Sequence, residues 1–226
     1  MRYPYLLFDA DDTLFSFEQA NIHAFKTVCA TYGFPFSMDL FHRYESHNNA
    51  AWEKLNRGLA TKDQIVIERF ANFLREIGSD HDPAECNRTH LRALGEVVFM
   101  MPHAQEVITK LSKTHHIFLI TNAVASVQRS RLAMSPIAPY VEDAFISEDA
   151  GAAKPSREYF DYVFSRIDGI THANCLVIGD SLSSDIQGAN NYSLPCCWFN
   201  PHHAPNLPGL SIDYEISDLR ELIDIV

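Results

Sequence analysis

No run of apolar residues in this chain of 226 approaches the length of a membrane span. The N-terminus does not read as a signal peptide, because its short apolar run meets Asp9 almost at once. Cysteine is sparse: Cys29, Cys86, Cys175, Cys196 and Cys197, odd in number and without paired CxxC units. That argues against a disulfide framework and for reduced thiols in a cytoplasm. Positive charge is in deficit, with a net charge of −11 and a pI near 5.4. Such a surface repels a nucleic-acid polymer. It leaves room for a small phosphorylated ligand, since a metal and one lysine can invert the local field. Neither GxxxxGK[ST] nor GxGxxG occurs, so the motifs of triphosphate loops and dinucleotide folds are missing. Nothing in the sequence demands more than a monomer.

Short apolar runs are present, each closing on a polar residue. They are "YLLFD" (5–9), "IFLITN" (117–122), "AFISE" (144–148), "CLVIGD" (175–180) and "CCWFN" (196–200). Runs of this kind suit parallel strands buried on both faces. Helical patterns near 124–134, 156–167 and 183–192 separate the later ones. The fold class that follows is α/β: a doubly wound, mainly parallel sheet with helices on both faces. Residues 16 to about 100 break this rhythm. They contain no convincing strand and read as helices near 16–33, 38–56, 61–77 and 82–97, with Gly33 as a stop and Asp82-Pro83 as a start. The expected organisation is a core of 1–15 and 101–226 with an inserted helical cap of 16–100.

Ligands of open parallel sheets sit beyond the carboxyl ends of the strands. Asp9, Asp11, Thr121, Asn122 and Asp180 all close apolar runs, so they are candidates for one site. Two carboxylates at i and i+2 repel one another unless a cation lies between them. Oxygen donors without paired His or Cys favour Mg2+ over Zn2+. Asp180 adds a third carboxylate, and Asp185 lies one turn into the following helix. Thr121, Asn122 and the Lys154 of "AKP" offer donors and a cation for phosphate. The adjacent pairs His115-His116 and His202-His203 do not chelate easily, because neighbours on a strand point to opposite faces. Asp12 reads as a turn or structural acid, and Arg69 as a structural partner of Glu68 or Asp63.

In order, "DADDT", "ITN", "AKP" and "GDSLSSD" resemble the four motifs of the haloacid dehalogenase-like superfamily of phosphatases. "NNAAW" (48–52), "GLAT" (58–61), "ERF" (68–70), "FISEDAGAAKP" and "CCWFNPHH" extend the resemblance nearly end to end, toward its house-cleaning pyrimidine 5′-nucleotidase branch. The resemblance implies Asp9 as nucleophile and Asp11 as general acid and base. It implies Mg2+ held by the Asp9 carboxylate, the Asp11 main-chain carbonyl and Asp180. It implies Thr121, Asn122 and Lys154 on the phosphoryl oxygens, with Asp185 orienting metal-bound water or Lys154. The implied substrate is a nucleoside 5′-monophosphate, pyrimidine ones first, with sugar phosphates or phosphoglycolate as the alternative. A non-catalytic phosphate- or partner-binding module on the same fold is the alternative of another class. In the helical insert, Asn48 and Trp52 fall on one helical face. They could recognise a base by hydrogen bonding and stacking, while Trp52 reads equally as a core residue. Two departures stand out: Asp12 occupies a position where the superfamily often has Gly, and "ANNYSLP" (189–195) lacks a Gly usual near Tyr192.

Overall fold

The computed structural model describes residues 2–226. The chain divides into two units, one ending at Phe17 and resuming over Val98–Val226, the other Glu18–Val97.

In chain order the elements are β1 (Tyr5–Phe8), α1 (Phe17–Tyr32), α2 (Met38–Asn56), α3 (Lys62–Ile77), α4 (Pro83–Gly95), α5 (Ala104–Leu111), β2 (His116–Thr121), α6 (Ala125–Met134), β3 (Asp143–Ile146) and α7 (Ser147–Ala150). Then follow α8 (Arg157–Phe164), β4 (Cys175–Gly179), α9 (Gln187–Tyr192), β5 (Cys196–Phe199), β6 (Tyr214–Ile216) and α10 (Leu222–Ile225).

The larger unit holds one six-stranded sheet in the order β3-β2-β1-β4-β5-β6, with every pairing parallel. Side chains alternate across it. Leu6, Phe8, Ile117, Leu119, Leu176 and Ile178 pack on one face against α5 and α10. Leu7, Phe118, Ile120, Cys175 and Val177 pack on the other against α8 and α9. Both faces are therefore dry, which is why these strands read as continuous apolar runs. Each fully buried side chain of this size contributes roughly 1.5–3 kcal/mol of transfer free energy. The strand order reverses beside β1, whose neighbours are β2 and β4. That reversal is where an open α/β sheet leaves a crevice beyond its strand ends.

Two elements of this unit escape the sequence reading. Helix α5 follows Pro102, which reads only as a break, and β6 adds three residues outside β5. Both are short, and β6 alternates too briefly to signal itself. The third apolar run also ends earlier than its pattern suggests, because Ser147 turns the chain into α7.

The helical unit is built as its punctuation implies. Ser37 caps α2 by accepting the Leu40 N–H at 3.1 Å. Thr61 and Gln64 form a reciprocal capping box on α3, which Gly78 ends in the left-handed conformation. Asp82 caps α4 with Pro83 in the first turn. Phe25, Phe41, Tyr44, Phe70 and Phe73 form its core, with the Phe25 and Tyr44 rings stacked at 4.7 Å.

A buried polar cluster adjoins that core, and it corrects the expectation for Arg69. The guanidinium pairs with neither Glu68 nor Asp63. Its Nη1 donates to Asn48 Oδ1 at 2.7 Å, its Nη2 to Asn87 Oδ1 at 2.9 Å, and its Nε to the Val66 carbonyl. Glu68 instead binds Lys54. Burial lowers the Arg69 pKa, since its hydrogen-bond partners are largely neutral.

All five cysteines are buried free thiols. Among the described residues no helix is long and apolar enough to cross a membrane.

Candidate active site

Asp9 follows β1 directly, and its N–H continues the ladder by donating to the Ile178 carbonyl at 2.8 Å. Asp180 follows β4 directly. The two acids therefore stand side by side at the reversal of strand order, as their positions after apolar runs imply. Asp185 comes from a single wide helical turn, Leu182–Ile186, and is fully buried. Carboxylate oxygens of Asp9, Asp180 and Asp185 lie within 4.8 Å of one another, and no other such cluster of His, Cys, Asp or Glu exists among the described residues. Neither histidine pair belongs to it.

Lys154 is the cation of this cluster. Its Nζ donates to Asp9 Oδ1 at 2.5 Å, to Asp185 Oδ1 at 2.6 Å and to the Ile120 carbonyl at 2.8 Å. All three ammonium protons are thus engaged. Asn122 fixes the lysine's backbone from both sides: its Nδ2 donates to the Lys154 carbonyl and its Oδ1 accepts the Lys154 N–H, each at 2.9 Å. Thr121 Oγ1 accepts the Ala123 N–H at 3.2 Å.

The electrostatics follow from three carboxylates facing one ammonium. Burial pushes the Asp9 carboxyl well above the usual range; Lys154 pulls it back, and Asp185 and Asp180 push it up again. Burial, then Asp185 and Asp12, push Asp180 up to about 8. Burial alone would lower the Lys154 pKa, but Asp185 and Asp9 outweigh it and hold the ammonium charged. This excess of hard, buried, negative oxygen fits a small divalent cation such as Mg2+.

Three local devices shape the cluster. Gly179 leaves room for Asp185, because a Cβ there would lie 2.3 Å from the Asp185 Cγ. Thr13 Oγ1 donates to Asp180 Oδ1 and accepts the Asp180 N–H, both at 3.1 Å. The Trp198 indole holds the Asp180 carbonyl at 2.8 Å. The sequence reading missed Thr13 and Trp198 as positioning groups, though Thr13 sits inside "DADDT". Asp12 has a φ of 59° and accepts the Phe17 N–H at 2.9 Å. That left-handed position explains why glycine suits it, and Asp is among the few residues that tolerate it. Ser193, with a φ of 60°, likewise stands where a glycine would be at ease.

Asp11 does not join the three-carboxylate cluster. Its carboxylate accepts a bond from Arg131 Nη1 on α6, a partner that no motif points to. Of the helical-unit candidates, Asn48 is buried with its carbonyl oxygen committed to Arg69, while Trp52 is half-buried.

The family model of haloacid dehalogenase-like hydrolases matches residues 3–192. The chain belongs to the haloacid dehalogenase-like hydrolases. It is 36% identical over 225 residues to the HAD-hydrolase YfnB of Bacillus subtilis strain 168, covering 100% of this chain and 96% of that protein. A crystal structure of YfnB bound to magnesium superposes with a TM-score of 0.95 over 100% of this chain and 99% of that one. The chain is also 28% identical to the pyrimidine 5′-nucleotidase YjjG of Escherichia coli K12, covering 98% and 97% of the two chains. Identity to the pyrimidine 5′-nucleotidase PynA of Streptococcus pneumoniae R6 is 29%, covering 99% and 95%. As a hydrolase of this family, the chain carries its acids where the sheet opens.

Proposed function

We propose that this hydrolase is a Mg2+-dependent phosphatase of nucleoside 5′-monophosphates, pyrimidine ones first, acting through an aspartyl-phosphate on Asp9. The observation that carries the reading is the buried Asp9–Asp180–Asp185 cluster with Lys154 bridging two of its members. The substrate class rests on the names of YjjG and PynA.

The Asp9 carboxylate attacks phosphorus and the ester P–O bond breaks. Asp11 gives a proton to the departing oxygen. Water then attacks the acyl phosphate while Asp11 takes its proton, releasing phosphate and restoring Asp9. Asp9, Asp180 and the Asp11 carbonyl would hold Mg2+, which neutralises the charge of the incoming phosphate. Lys154 stays charged beside Asp9 and orients it; to bind a phosphoryl oxygen it must exchange one of its three present acceptors. Asn122 sets the lysine's backbone, and the Thr121 hydroxyl hydrogen is available to a phosphoryl oxygen. Trp52 is the better candidate for base recognition, and Asn48 the better structural residue.

The test is phosphate release, with and without Mg2+, from pyrimidine and purine monophosphates and from sugar phosphates, with Asp9→Asn alongside. The expected result is metal-dependent release favouring dUMP, dTMP or UMP and lost in the variant. A preference for sugar phosphates would discard the nucleotide assignment. Release that persists in Asp9→Asn would discard the nucleophile.

A further inference from the structure

Arg131 is among the largest fully buried side chains of the molecule, at 1% exposure. It lies on α6, far in sequence from the acids, and no motif contains it. Its guanidinium sits 5.3 Å from the centre of the Phe15 ring, which closes one of its faces. Its Nη1 donates to Asp11 Oδ1 and, at 3.3 Å, to Gln128 Oε1. Its Nε and Nη2, and Gln128 Nε2, have no hydrogen-bond partner among the described residues.

That pattern is unusual for a structural arginine. Burying a guanidinium is costly unless its charge is paired and its N–H groups are used. An arginine placed for packing gains from satisfying all of its donors. This one leaves two nitrogens idle while keeping a single carboxylate, Asp11. The contact with Asp11 and the face of Phe15 therefore set its orientation. Reciprocally, the Asp11 carboxylate lies outside the cluster of the other three acids and is held by Arg131 instead.

We infer that Arg131 is a positioning residue for Asp11: it fixes the carboxylate's rotamer, and with it the direction of proton delivery to the departing oxygen. The inference rests on the phosphatase reading, in which Asp11 is the general acid. A proton donor is effective only within hydrogen-bond reach of the oxygen it serves. A misplacement near 1 Å can cost on the order of 10²-fold in rate. Arg131 would act through Asp11 alone, with no contact to the phosphate.

The experiment compares kcat/KM on two substrates. A nucleoside monophosphate leaves as an alkoxide and needs the proton; p-nitrophenyl phosphate leaves as a stable phenolate and does not. Arg131→Met should lower kcat/KM about 10- to 100-fold on the nucleotide and less than about 3-fold on the aryl ester. Arg131→Lys, which keeps a charged donor, should recover part of the loss. An equal loss on both substrates, or no loss at all, would overturn the inference. The Arg131→Lys comparison decides the matter if Arg131→Met does not fold. No phosphate release from either substrate by the Mg2+-supplied wild-type protein would instead overturn the phosphatase reading, and this inference with it.

Discussion

Lowering the pH from 7.5 to 5.5 protonates the histidines of an unfolded chain, but His90 cannot follow in the folded helical unit. It is fully buried. Arg69 Nη2 lies 3.4 Å from its Nδ1, and an arginine nitrogen can only donate. Nδ1 must therefore accept, so Nε2 carries the hydrogen and donates to Asn21 Oδ1 at 2.9 Å. Tyr44 and Phe70 enclose the ring. Burial first, and the Arg69 charge second, hold the His90 pKa well below its ordinary value of 6.5. The sign follows from proton counts. Above pH 6.5 neither folded nor unfolded His90 binds a proton, and its contribution to stability is complete. Below pH 6.5 only the unfolded chain binds one, so stability falls with pH until the folded pKa is reached. At pH 5.5 the loss is about 1.4 kcal/mol, one pKa unit's worth, provided the folded pKa lies below that pH. Gln at position 90 keeps a donor and an acceptor but does not titrate. The assay is urea unfolding of Trp198→Phe protein, with and without His90→Gln. Of the chain's two tryptophans only Trp52, in the helical unit, then reports. His90→Gln should cost about 1 kcal/mol at pH 7.5 through a weakened hydrogen bond. At pH 5.5 that gap should close or reverse. A gap unchanged between the two pH values would refute the neutral, donor-locked histidine.

Two further predictions concern the core. Mg2+ should raise the melting temperature of the wild-type protein with a concentration dependence set by its affinity, and Asp180→Asn should abolish most of the shift; calorimetry with and without the metal checks this, and an undiminished shift would remove Asp180 from the metal site. Gly179→Ala places a methyl group 2.3 Å from the Asp185 Cγ, so it should destabilise by about 1–3 kcal/mol of overpacking strain and lower phosphate release at least about tenfold through the Asp185–Lys154 contact; an unchanged melting temperature and rate would mean that Asp185 moves without consequence.

Much of the core was legible because parallel strands buried on both faces leave long apolar runs, and an acid that ends such a run stands out. Asp9 and Asp180 were found that way, Lys154 and Asp185 through the "AKP" and "GDSLSSD" stretches that contain them, and the structure brings all four into contact range. Asp11 was found with them, yet its carboxylate turned out to face Arg131. Helix α5 was missed although Ala104, Val107, Ile108 and Leu111 fall at helical spacing, because Pro102 was read only as a break; β6 was missed because three residues are too few for a strand's period to emerge. Arg69 was assigned to the charges near it in sequence, Glu68 and Asp63, although neither stands three or four residues away, the spacing at which side chains on a helix meet. Its real partners come from α2 and α4, brought in by packing.

The sequence by itself determined the fold class, the acids at the strand ends and the Asp82-Pro83 start of α4, because each is a local consequence of residue type and spacing. Tertiary structure alone decided which groups answer the buried charges: Asp11 for Arg131, Asn48 and Asn87 for Arg69, Thr13 and Trp198 for Asp180. Desolvation is the reason. A charge or a polar backbone group withdrawn from water must bond whatever the packing places beside it, and that neighbour lies elsewhere in the chain.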